Sequence, residues 1–315
     1  MPVALIFGVT GQDGSLLARH LLGKGYQVIG TCRDAANAKD GNLRRLGLVE
    51  RLTLASVATH DFRSVIQLLM QFKPDEVYHL SGQSSVALSF EQPVETMESI
   101  LHTTITVLEA IRMLGHPVRY YSAGSSECFG NISEPATELS PFSPRSPYAV
   151  AKSAAFWQVA NYREAYNIYA CTGILFNHES PLRPGRFVTQ KIISAVKRIR
   201  DGSTEKLNLG NVDVQRDWGW SAEYVDAMWR MLQLPHPQDL IIATGKTYRL
   251  FDFITETFSA CKLNWEDHVV TNPALLRPTE IMVSRADPSK AAAVLGWRAT
   301  RTMPDVIRGM LDEDL

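Results

Sequence analysis

Residues 3–14 read VALIFGVTGQDG, an apolar stretch that runs directly into a glycine-rich turn. An amphipathic stretch from Ser15 to Leu22 follows and indicates a helix. The glycines have the spacing GxxGxxG, at Gly8, Gly11 and Gly14. Glycines permit a tight turn and let the backbone approach a pyrophosphate, and the helix N-terminus that follows offers free N–H groups. The pattern predicts a dinucleotide-binding loop, with a glycine-rich turn that holds no ligand as the alternative.

The first 176 residues alternate short apolar runs with helical patterns. Runs rich in Val, Ile, Leu and Tyr indicate strands, and they are VALIFG (3–8), QVIGT (27–31), DEVYHL (75–80), VRYYSA (118–123) and ACTGILF (170–176). Helical patterns lie between them, at 15–22, 62–72 and 94–114. This alternation predicts an α/β protein whose Rossmann-like, doubly wound parallel sheet has helices on both faces.

The sequence changes character after residue 176. Helical patterns occur at 187–201, 221–234, 250–262 and 302–313, and LIIATG at 240–245 is the one further run that resembles a strand. We expect residues 1–176, with a return segment at about 214–245, to form the dinucleotide-binding domain. Residues 177–213 and 246–315 are expected to form a smaller, mixed C-terminal lobe that binds the substrate. The cleft between the two would lie at the carboxyl ends of the parallel strands, where open α/β folds bind ligands.

Composition excludes several classes of function. The formal net charge is −1, so the chain shows no bulk attraction to nucleic acid or to an anionic membrane. No apolar run approaches the ~20 residues that span a bilayer. The four cysteines are far apart and form no CxxC pair, which argues against a zinc site or a disulfide framework and favours reduced thiols in the cytoplasm. No metal site is expected.

The end of the second strand bears on which cofactor is used. An acidic side chain here usually binds the ribose 2′-hydroxyl of NAD, whereas an arginine suits the 2′-phosphate of NADP. Arg33 therefore favours NADP, although Asp34 would favour NAD if the register were shifted by one residue. Arg44 and Arg45 are further candidates for phosphate contacts, or else belong to a solvated helix face.

Residues 146–152, Ser-Pro-Tyr-Ala-Val-Ala-Lys, have the features of a helix start. Ser146 is suited to cap the helix and Pro147 to occupy its first turn, which places Tyr148 and Lys152 on one face. We expect the ammonium and a nicotinamide cation to lower the pKa of Tyr148 from its ordinary value of about 10, so that the phenol can act as a base. The YxxxK pattern alone also occurs by chance.

The strand VRYYSA ends in Gly124-Ser125-Ser126-Glu127, where the cleft is expected. Ser125 is placed to hydrogen-bond a substrate oxygen, and Glu127 to act as a second acid or base. A simple strand-end turn is the alternative interpretation. The order of glycine loop, Ser125-Glu127 and Tyr148-Lys152 along the chain favours a catalytic site.

These motifs resemble the extended short-chain dehydrogenase/reductase superfamily, and further segments narrow the resemblance to the GDP-mannose 4,6-dehydratase family over essentially the whole chain. The segments are SFEQP (89–93), SPRSPYAVAK (143–152), NYREAY (161–166), GILFNHESPLR (173–183), FVTQKI (187–192), RDWG (216–219) and RPTE (277–280). NHESP and RDWG are specific to this branch, whereas the glycine loop and YxxxK belong to the superfamily.

The resemblance implies dehydration of GDP-D-mannose to GDP-4-keto-6-deoxy-D-mannose. Tyr148 would take the 4-hydroxyl proton as hydride leaves C4 for NADP, and Glu127 would remove the C5 proton as water leaves C6. The hydride then returns to C6, so the cofactor is regenerated in each turnover and stays tightly bound. Ser125 would align the 4-oxygen, and Lys152 would hold the nicotinamide ribose.

The resemblance also implies the binding residues. The cofactor contacts are Gly8, Gly11, Gln12, Asp13, Gly14, Arg33, Tyr148 and Lys152, with NADP as the favoured cofactor and NAD as the alternative. The contacts to the GDP-sugar are Ser84, Asn177, Val188, Lys191, Arg216, Arg277 and Glu280. His178 is expected to be a hydrogen-bonded residue of the cleft, and Trp218 to belong to the core. The helices at 92–114 and 146–167 have apolar faces that would form a homodimer or homotetramer contact, or else pack on the chain's own sheet.

Several positions depart from the family pattern while the four catalytic positions are unchanged. Asp34 stands where relatives have a second arginine, and the other departures are Val57-Ala58, Ser81-Gly82, Ile100 and Gln190. We expect an active enzyme with altered cofactor contacts or an altered sugar, such as a GDP-manno-heptose. A related NADP-dependent reductase or epimerase is the alternative chemistry, and a non-catalytic homologue is the alternative of a different class.

Overall fold

A computed structural model describes residues 1–38 and 40–315 of the chain. The strands are β1 Val3–Phe7, β2 Gln27–Cys32, β3 Thr53–Ser56, β4 Glu76–His79, β5 Arg119–Ala123, β6 Ala170–Leu175, β7 Asn177–Glu179, β8 Leu207–Leu209, β9 Gln215–Trp220, β10 Leu240–Ile242, β11 Thr247–Arg249 and β12 Val269–Thr271. The helices are α1 Gln12–Gly23, α2 Gly41–Arg45, α3 Phe62–Phe72, α4 Val86–Glu91, α5 Pro93–Met97, α6 Thr103–Met113, α7 Pro147–Tyr166, α8 Val188–Arg200, α9 Ser221–Gln233, α10 Leu250–Ala260, α11 Ser289–Leu295 and α12 Met303–Leu311.

The central sheet has seven parallel strands in the order β10-β6-β5-β4-β1-β2-β3. Strand order reverses between β1 and β4, which is the point where doubly wound sheets bind ligands. This confirms the predicted fold class. It also explains why β1 is apolar throughout, since Ala4 and Ile6 pack on one face of the sheet and Leu5 and Phe7 on the other.

Helices cover both faces of this sheet. On one face α1 and α9 share a core that includes Leu17, Leu21 and Met228. On the other face α3, α6 and α7 form a second core around Val65, Val107 and other buried residues. The C-terminal part of the chain therefore returns to the central sheet, because α9 packs against α1 and β10 extends that sheet beside β6.

The rest of the C-terminal part has its own apolar core. Helices α8, α10 and α12 pack there with Trp218 and Phe253 at its centre. Two small sheets complete it, with the orders β11-β9-β7 and β12-β8. The sequence patterns missed these strands because most are only three residues long and no periodicity develops over that length.

The helical pattern predicted at 94–114 is interrupted. Between α5 and α6 the residues Glu98–His102 form a turn of π-helix. The hydroxyls of Thr103 and Thr104 donate to the carbonyl oxygens of Ser99 and Ile100, at 2.8 and 2.7 Å. These bonds satisfy backbone groups at the irregular turn, and such π-turns are frequent beside functional sites. Among the residues described, no helix is long and apolar enough to cross a membrane.

Candidate active site

A cleft opens at the carboxyl ends of β1, β4, β5 and β6, between the parallel sheet and the C-terminal lobe. It brings together most of the side chains that the sequence singled out. Those that line it are Asp13, Ser84, Ser125, Glu127, Tyr148, Lys152, Asn177, Val188, Lys191, Arg216, Arg277 and Glu280. Gly8, Gly11, Gln12, Gly14 and Arg33 are not part of the cleft wall.

The glycine loop has the geometry that its spacing predicts. Gly8 has φ +86°, and a Cβ at this position would lie 2.9 Å from the backbone nitrogen of Ser81. A Cβ on Gly14 would lie only 2.2 Å from the carbonyl oxygen of Gly8, so this glycine lets α1 approach the strand end. Gly11 caps α1 without a side-chain hydrogen bond, which leaves the first N–H groups of the helix available to an anion. The loop therefore fits the pyrophosphate of a dinucleotide.

Replacing Gly14 with alanine is expected to lower the free energy of unfolding by about 2–4 kcal/mol, because the new methyl group would collide with backbone rather than with a movable side chain. Urea unfolding followed by circular dichroism measures the change. Gly23→Ala is the matched control on the same helix, since a Cβ there meets nothing within 4 Å. The control should be neutral or slightly stabilising, and equal stability of both variants would contradict the packing role of Gly14.

Tyr148 and Lys152 lie in the first turns of α7, as the sequence predicts. The Ser146 hydroxyl accepts a hydrogen bond from the Ala149 N–H at 3.1 Å, and Pro147 is the first helical residue. The Lys152 Nζ donates to the carbonyl oxygen of Ala123 at 2.7 Å and lies 5.9 Å from the Tyr148 ring centroid. The end of β5 therefore fixes the ammonium beside the tyrosine ring.

The sequence predicts a lowered Tyr148 pKa when Lys152 and a nicotinamide cation act together, whereas the chain's own groups raise that pKa. Burial raises the pKa of Tyr148 above its ordinary value, and this outweighs the lowering by a hydrogen bond from Ser125. Burial also lowers the pKa of Lys152 to about 8. The Lys152 ammonium lies 5.9 Å from the Tyr148 ring centroid, and burial has the larger effect on the phenol. Any activation of the phenol at neutral pH must come from charge that binds in the cleft.

Ser125 and Glu127 follow directly after β5. Ser125 caps a short 3₁₀ turn, Ser126–Phe129, and its hydroxyl accepts a hydrogen bond from the Glu127 N–H at 3.3 Å. Ser125 is buried, whereas the Glu127 side chain is half-buried at the cleft. The turn thus points a hydroxyl and a carboxylate into the same space as Tyr148.

A cluster of charged groups also lines the cleft. The Glu280 carboxylate lies 3.3 Å from the guanidinium groups of both Arg216 and Arg277. Arg216 is only 6% exposed and also donates to the carbonyl oxygen of Ile281 at 2.8 Å. Two arginines that share one carboxylate retain positive charge for an incoming anion.

The remaining predicted substrate contacts come from three elements. Asn177 begins β7, which pairs with β9, and Val188 begins α8. Lys191, one turn further along α8, donates to the carbonyl oxygen of Asn208 at 2.6 Å. Ser84 is exposed in the loop after β4. These three elements all contribute side chains to the cleft wall, so they can contact one ligand together.

The arginines considered for phosphate binding differ in their surroundings. Arg33 is exposed just after β2. Arg44 forms an ion pair with Asp40 at 2.8 Å. Arg45 donates to the carbonyl oxygen of Pro181 at 2.9 Å and lies 3.2 Å from a carboxylate oxygen of Glu313. Arg44 and Arg45 therefore already have partners within the chain.

The sequence interpretation missed Arg183 and Asn208, which also line the cleft. The Arg183 guanidinium lies 3.2 Å from the carboxylate of Glu179 and stacks 3.8 Å from the Phe187 ring centroid. Arg183 ends the quoted segment GILFNHESPLR, so that motif was the available signal. Asn208 lies on a three-residue strand and had no signal of its own.

His178 is a hydrogen-bonded cleft residue, as expected, with contacts to Phe176 and Asp13. Trp218 is buried in the C-terminal core and also reaches the cleft wall. Over residues 1–38 and 40–315, no group of three or more His, Cys, Asp or Glu side chains could hold a metal ion.

Most departures from the family pattern have a local structural explanation. Gly82 has φ +122°, and a Cβ there would lie 2.9 Å from the Ser99 carbonyl oxygen. Ile100 is buried in an apolar cluster that includes Tyr148 and Ala151. Val57 packs in the core of the sheet, and the Gln190 side chain lies 3.3 Å from the Ser194 hydroxyl. Ile100 and Val57 are thus buried in apolar cores, whereas Gly82 is exposed.

Comparisons with known proteins bear on the family and the fold of the chain. Residues 5–310 match the family model described as GDP-mannose 4,6 dehydratase. The chain is 44% identical to GDP-mannose 4,6 dehydratase 1 of Arabidopsis thaliana, over 99% of this chain and 90% of the relative. Among solved structures, it superposes on a Thermus thermophilus UDP-glucose 4-epimerase in complex with NAD, with a TM-score of 0.86, 24% identity and coverage of 99% and 98% of the two chains. It also superposes on RMD from Pseudomonas aeruginosa, complexed with NADPH, with a TM-score of 0.81, 21% identity and coverage of 99% and 98%.

Proposed function

The chain belongs to the GDP-mannose 4,6-dehydratase family, and on this premise we infer that it converts GDP-D-mannose to GDP-4-keto-6-deoxy-D-mannose. The observation that carries the inference is the convergence of Ser125, Glu127, Tyr148 and Lys152 on one cleft at the switch point of the sheet. A hydroxyl, a carboxylate, a phenol and an ammonium are the groups that such a dehydration needs.

A bound nicotinamide nucleotide would accept a hydride from C4 of the sugar and return it to C6. The chain's residues handle the protons. Tyr148 takes the proton of the 4-hydroxyl, and the Ser125 hydroxyl holds the same oxygen. The resulting 4-ketone acidifies the proton at C5, which Glu127 removes. Protonated Glu127 gives its proton to the departing 6-hydroxyl, which leaves as water. C5 then takes one proton from solvent and Tyr148 returns its own to solvent, so the sequence balances without an external oxidant or reductant.

The direct test is to incubate the purified protein with GDP-mannose and a catalytic amount of NADP⁺. The expected product is lighter than the substrate by one water, and the cofactor shows no net turnover. Consumption of one reduced cofactor per sugar would instead indicate a reductase, and an isomer of unchanged mass would indicate an epimerase. Either result, or no reaction with NADP⁺ and none with NAD⁺, contradicts the proposed function.

The charged cluster is proposed to bind the GDP portion of the substrate. Arg216 and Arg277 donate to the diphosphate, and Glu280 accepts hydrogen bonds from ribose or guanine. Asn177 and Lys191 contact phosphate or sugar oxygens, while Val188 and Ser84 complete the pocket. In this proposal residues 177–213 and 246–315 form the sugar-nucleotide lobe, and residues 1–176 with about 214–245 form the cofactor domain. Within that return segment α9 and β10 pack on the central sheet, whereas β9 pairs with β7 and β11 in the small sheet.

NADP is the proposed cofactor, and the surroundings of Asp34 support this choice. Its carboxylate accepts hydrogen bonds from the backbone N–H groups of Ala36 and Asn37 and from the Asn37 side chain, at 2.9 to 3.2 Å. A carboxylate engaged in its own turn is less available to a ribose hydroxyl. Arg33 is exposed beside it and suits a 2′-phosphate.

Arg33→Ala is therefore expected to weaken NADPH binding about tenfold or more and to leave NADH binding within about twofold, because only NADPH loses a charge-assisted contact. Fluorescence titration of both cofactors measures the effect. Asp34→Asn is the companion variant and should leave the preference for NADPH in place. Loss of NADH binding in Asp34→Asn, with no effect of Arg33→Ala, would assign NAD instead.

The proposed assembly is a homo-oligomer built on α5 and α7. Val94 is 64% exposed, Trp157 is 62% exposed, and Val150 is also exposed, so an apolar surface faces solvent.

Trp157→Glu is expected to convert the dimer to a monomer in size-exclusion chromatography with light scattering. Met70→Glu, which replaces an exposed methionine on α3, is the control and should not change the mass. A wild-type monomer would contradict the proposal.

A reducing compartment such as the cytoplasm is proposed as its location. The supporting observation is that all four cysteines are free thiols, and two of them, Cys128 and Cys171, are buried.

A further inference from the structure

A buried histidine joins the glycine-loop helix to the strand of the sugar-nucleotide lobe. The Nε2 atom of His178, in the middle of β7, lies 2.9 Å from a carboxylate oxygen of Asp13, in the first turn of α1. The two residues are 165 positions apart in sequence, and His178 is only 7% exposed. The contact therefore links the element that is proposed to hold the cofactor to the strand that begins with Asn177.

The hydrogen-bond partners of the His178 imidazole determine how many protons the ring carries. The Nδ1 atom lies 2.7 Å from the carbonyl oxygen of Phe176, which can only accept a hydrogen bond. The Nε2 atom faces the carboxylate of Asp13, which also only accepts when ionised. Both ring nitrogens must then donate, so the ring is an imidazolium beside a carboxylate. Moving one proton to Asp13 would give a neutral pair with the same hydrogen bonds.

Several observations favour the charged pair over the neutral one. Asp13 lies in the first turn of α1, where the helix N-terminus favours negative charge. Its other oxygen accepts a hydrogen bond from the Gln12 side chain at 3.0 Å. Burial opposes ionisation of both groups, but the attraction between the two opposite charges, together with their hydrogen bonds, is stronger. The pKa of Asp13 is therefore lowered and the pKa of His178 is raised.

The other charged and titratable groups around the pair do not replace this contact. The positive charge of Arg183 opposes protonation of His178, but its guanidinium is paired with Glu179 at 3.2 Å. Tyr224 stacks on the imidazole with ring centroids 4.6 Å apart, and burial raises the pKa of its phenol, which keeps it neutral. The negative charge of Asp13 also favours the charged form of Lys152, although burial lowers the Lys152 pKa overall. Asp13 is thus the anion that stabilises the second proton of His178.

We propose that His178 is a positioning residue that acts as an imidazolium, fastening the start of α1 to β7 so that loss of its second proton loosens the cofactor site and the sugar-nucleotide site together. After that loss the ring is neutral, so the ion pair with Asp13 is lost whichever nitrogen keeps its proton, and either the Asp13 carboxylate or the Phe176 carbonyl oxygen faces a bare lone pair. Two neutral bonds remain between the elements, from Gln12 to the His178 carbonyl at 3.2 Å and from the Ser180 hydroxyl to Gln12 at 2.9 Å. The link therefore weakens without the fold coming apart.

The sign of the pH dependence follows from the raised pKa of His178. A contact made by the protonated form is fully present below the ordinary pKa of histidine and is lost as the pH rises through the folded-state pKa. In the wild-type protein we expect retention of bound NADPH to fall and KM for GDP-mannose to rise about tenfold across one shared alkaline transition.

Asp13→Asn is the variant that tests the proposal. Its amide can donate to a bare Nε2, so a neutral His178 keeps the link and the shared alkaline transition disappears. Nitrogen NMR of protein labelled with ¹⁵N-histidine gives a readout that does not depend on catalysis. We expect both ring nitrogens of His178 to be protonated near neutral pH in the wild type and only one in Asp13→Asn, with His178→Gln identifying the signals.

A singly protonated His178 in the wild type near neutral pH would overturn the proposal, as would an unchanged alkaline transition of NADPH retention in Asp13→Asn. The kinetic part rests on the proposed function, but the NMR and retention measurements do not. If GDP-mannose is not a substrate while the imidazolium signal and its transition are present, the proposed function fails and the role of His178 stands.

Discussion

Tyr148→Phe is expected to lower kcat for GDP-mannose dehydration about a thousandfold, within the range that loss of a positioned acid–base group produces. The phenol is the proposed acceptor of the 4-hydroxyl proton, and phenylalanine cannot take it. The ring itself is 8% exposed and packs in an apolar cluster with Ile100, Ala151 and Ala155. The variant keeps that packing, so its stability should stay close to that of the wild type.

Tyr166→Phe is the matched control for this experiment. It makes the same change at the other end of α7, where the side chain is 49% exposed and far from the cleft wall. Steady-state rates at saturating GDP-mannose, followed by product mass, compare the two. Equal rates for wild type and Tyr148→Phe would remove the phenol from the chemistry.

The fold could be predicted from the sequence wherever a local pattern determines the structure. The run from β1 through the glycine loop into α1 needed only apolar residues, a glycine with φ +86° at Gly8, and a close approach at Gly14. The start of α7 could be predicted from Ser146, which caps the helix, and Pro147, which is its first residue. Because these signals are contained within a few residues, they predict the elements that build the cofactor side of the cleft.

Features that depend on tertiary contact could not be predicted in this way. The π-turn at Glu98–His102 leaves the helical pattern nearly intact, so periodicity does not reveal it. Arg183 and Asn208 enter the cleft only because the C-terminal lobe folds over the sheet. The raised pKa of Tyr148 depends on burial, which the spacing of Tyr148 and Lys152 does not contain. The ion pair between Asp13 and His178 likewise joins distant parts of the chain.

The positions that depart from the family pattern show why a motif match alone does not give the cofactor. Asp34 replaces a positive residue of the pattern, which would suggest a change toward NAD. In the structure its carboxylate is used by its own turn, with three hydrogen bonds to residues 36 and 37. Whether a carboxylate is available to a ligand is a property of the loop conformation, and the sequence names only the residue type.

Glu127→Gln is expected to abolish loss of water, with kcat lower by about 10²–10⁴, because the amide cannot remove the C5 proton. The side chain is nearly isosteric, and the turn that carries it is held by the bond from its backbone N–H to the Ser125 hydroxyl at 3.3 Å. The geometry of the cleft should therefore survive. GDP-mannose should still bind with an affinity within about threefold of that of the wild type, which is a difference of less than about 1 kcal/mol in binding free energy.

Mass spectrometry of reactions in deuterated water separates this defect from a loss of binding. The wild-type product should be lighter by one water and carry one solvent deuterium, because the proton removed from C5 is replaced from solvent. With Glu127→Gln we expect recovered substrate with neither change. Glu134→Gln, in the exposed part of the following loop, is the control and should behave like the wild type. Deuterated, dehydrated product from Glu127→Gln at the wild-type rate would mean that another group removes the C5 proton, and the half-buried carboxylate beside Ser125 would then have no part in the elimination.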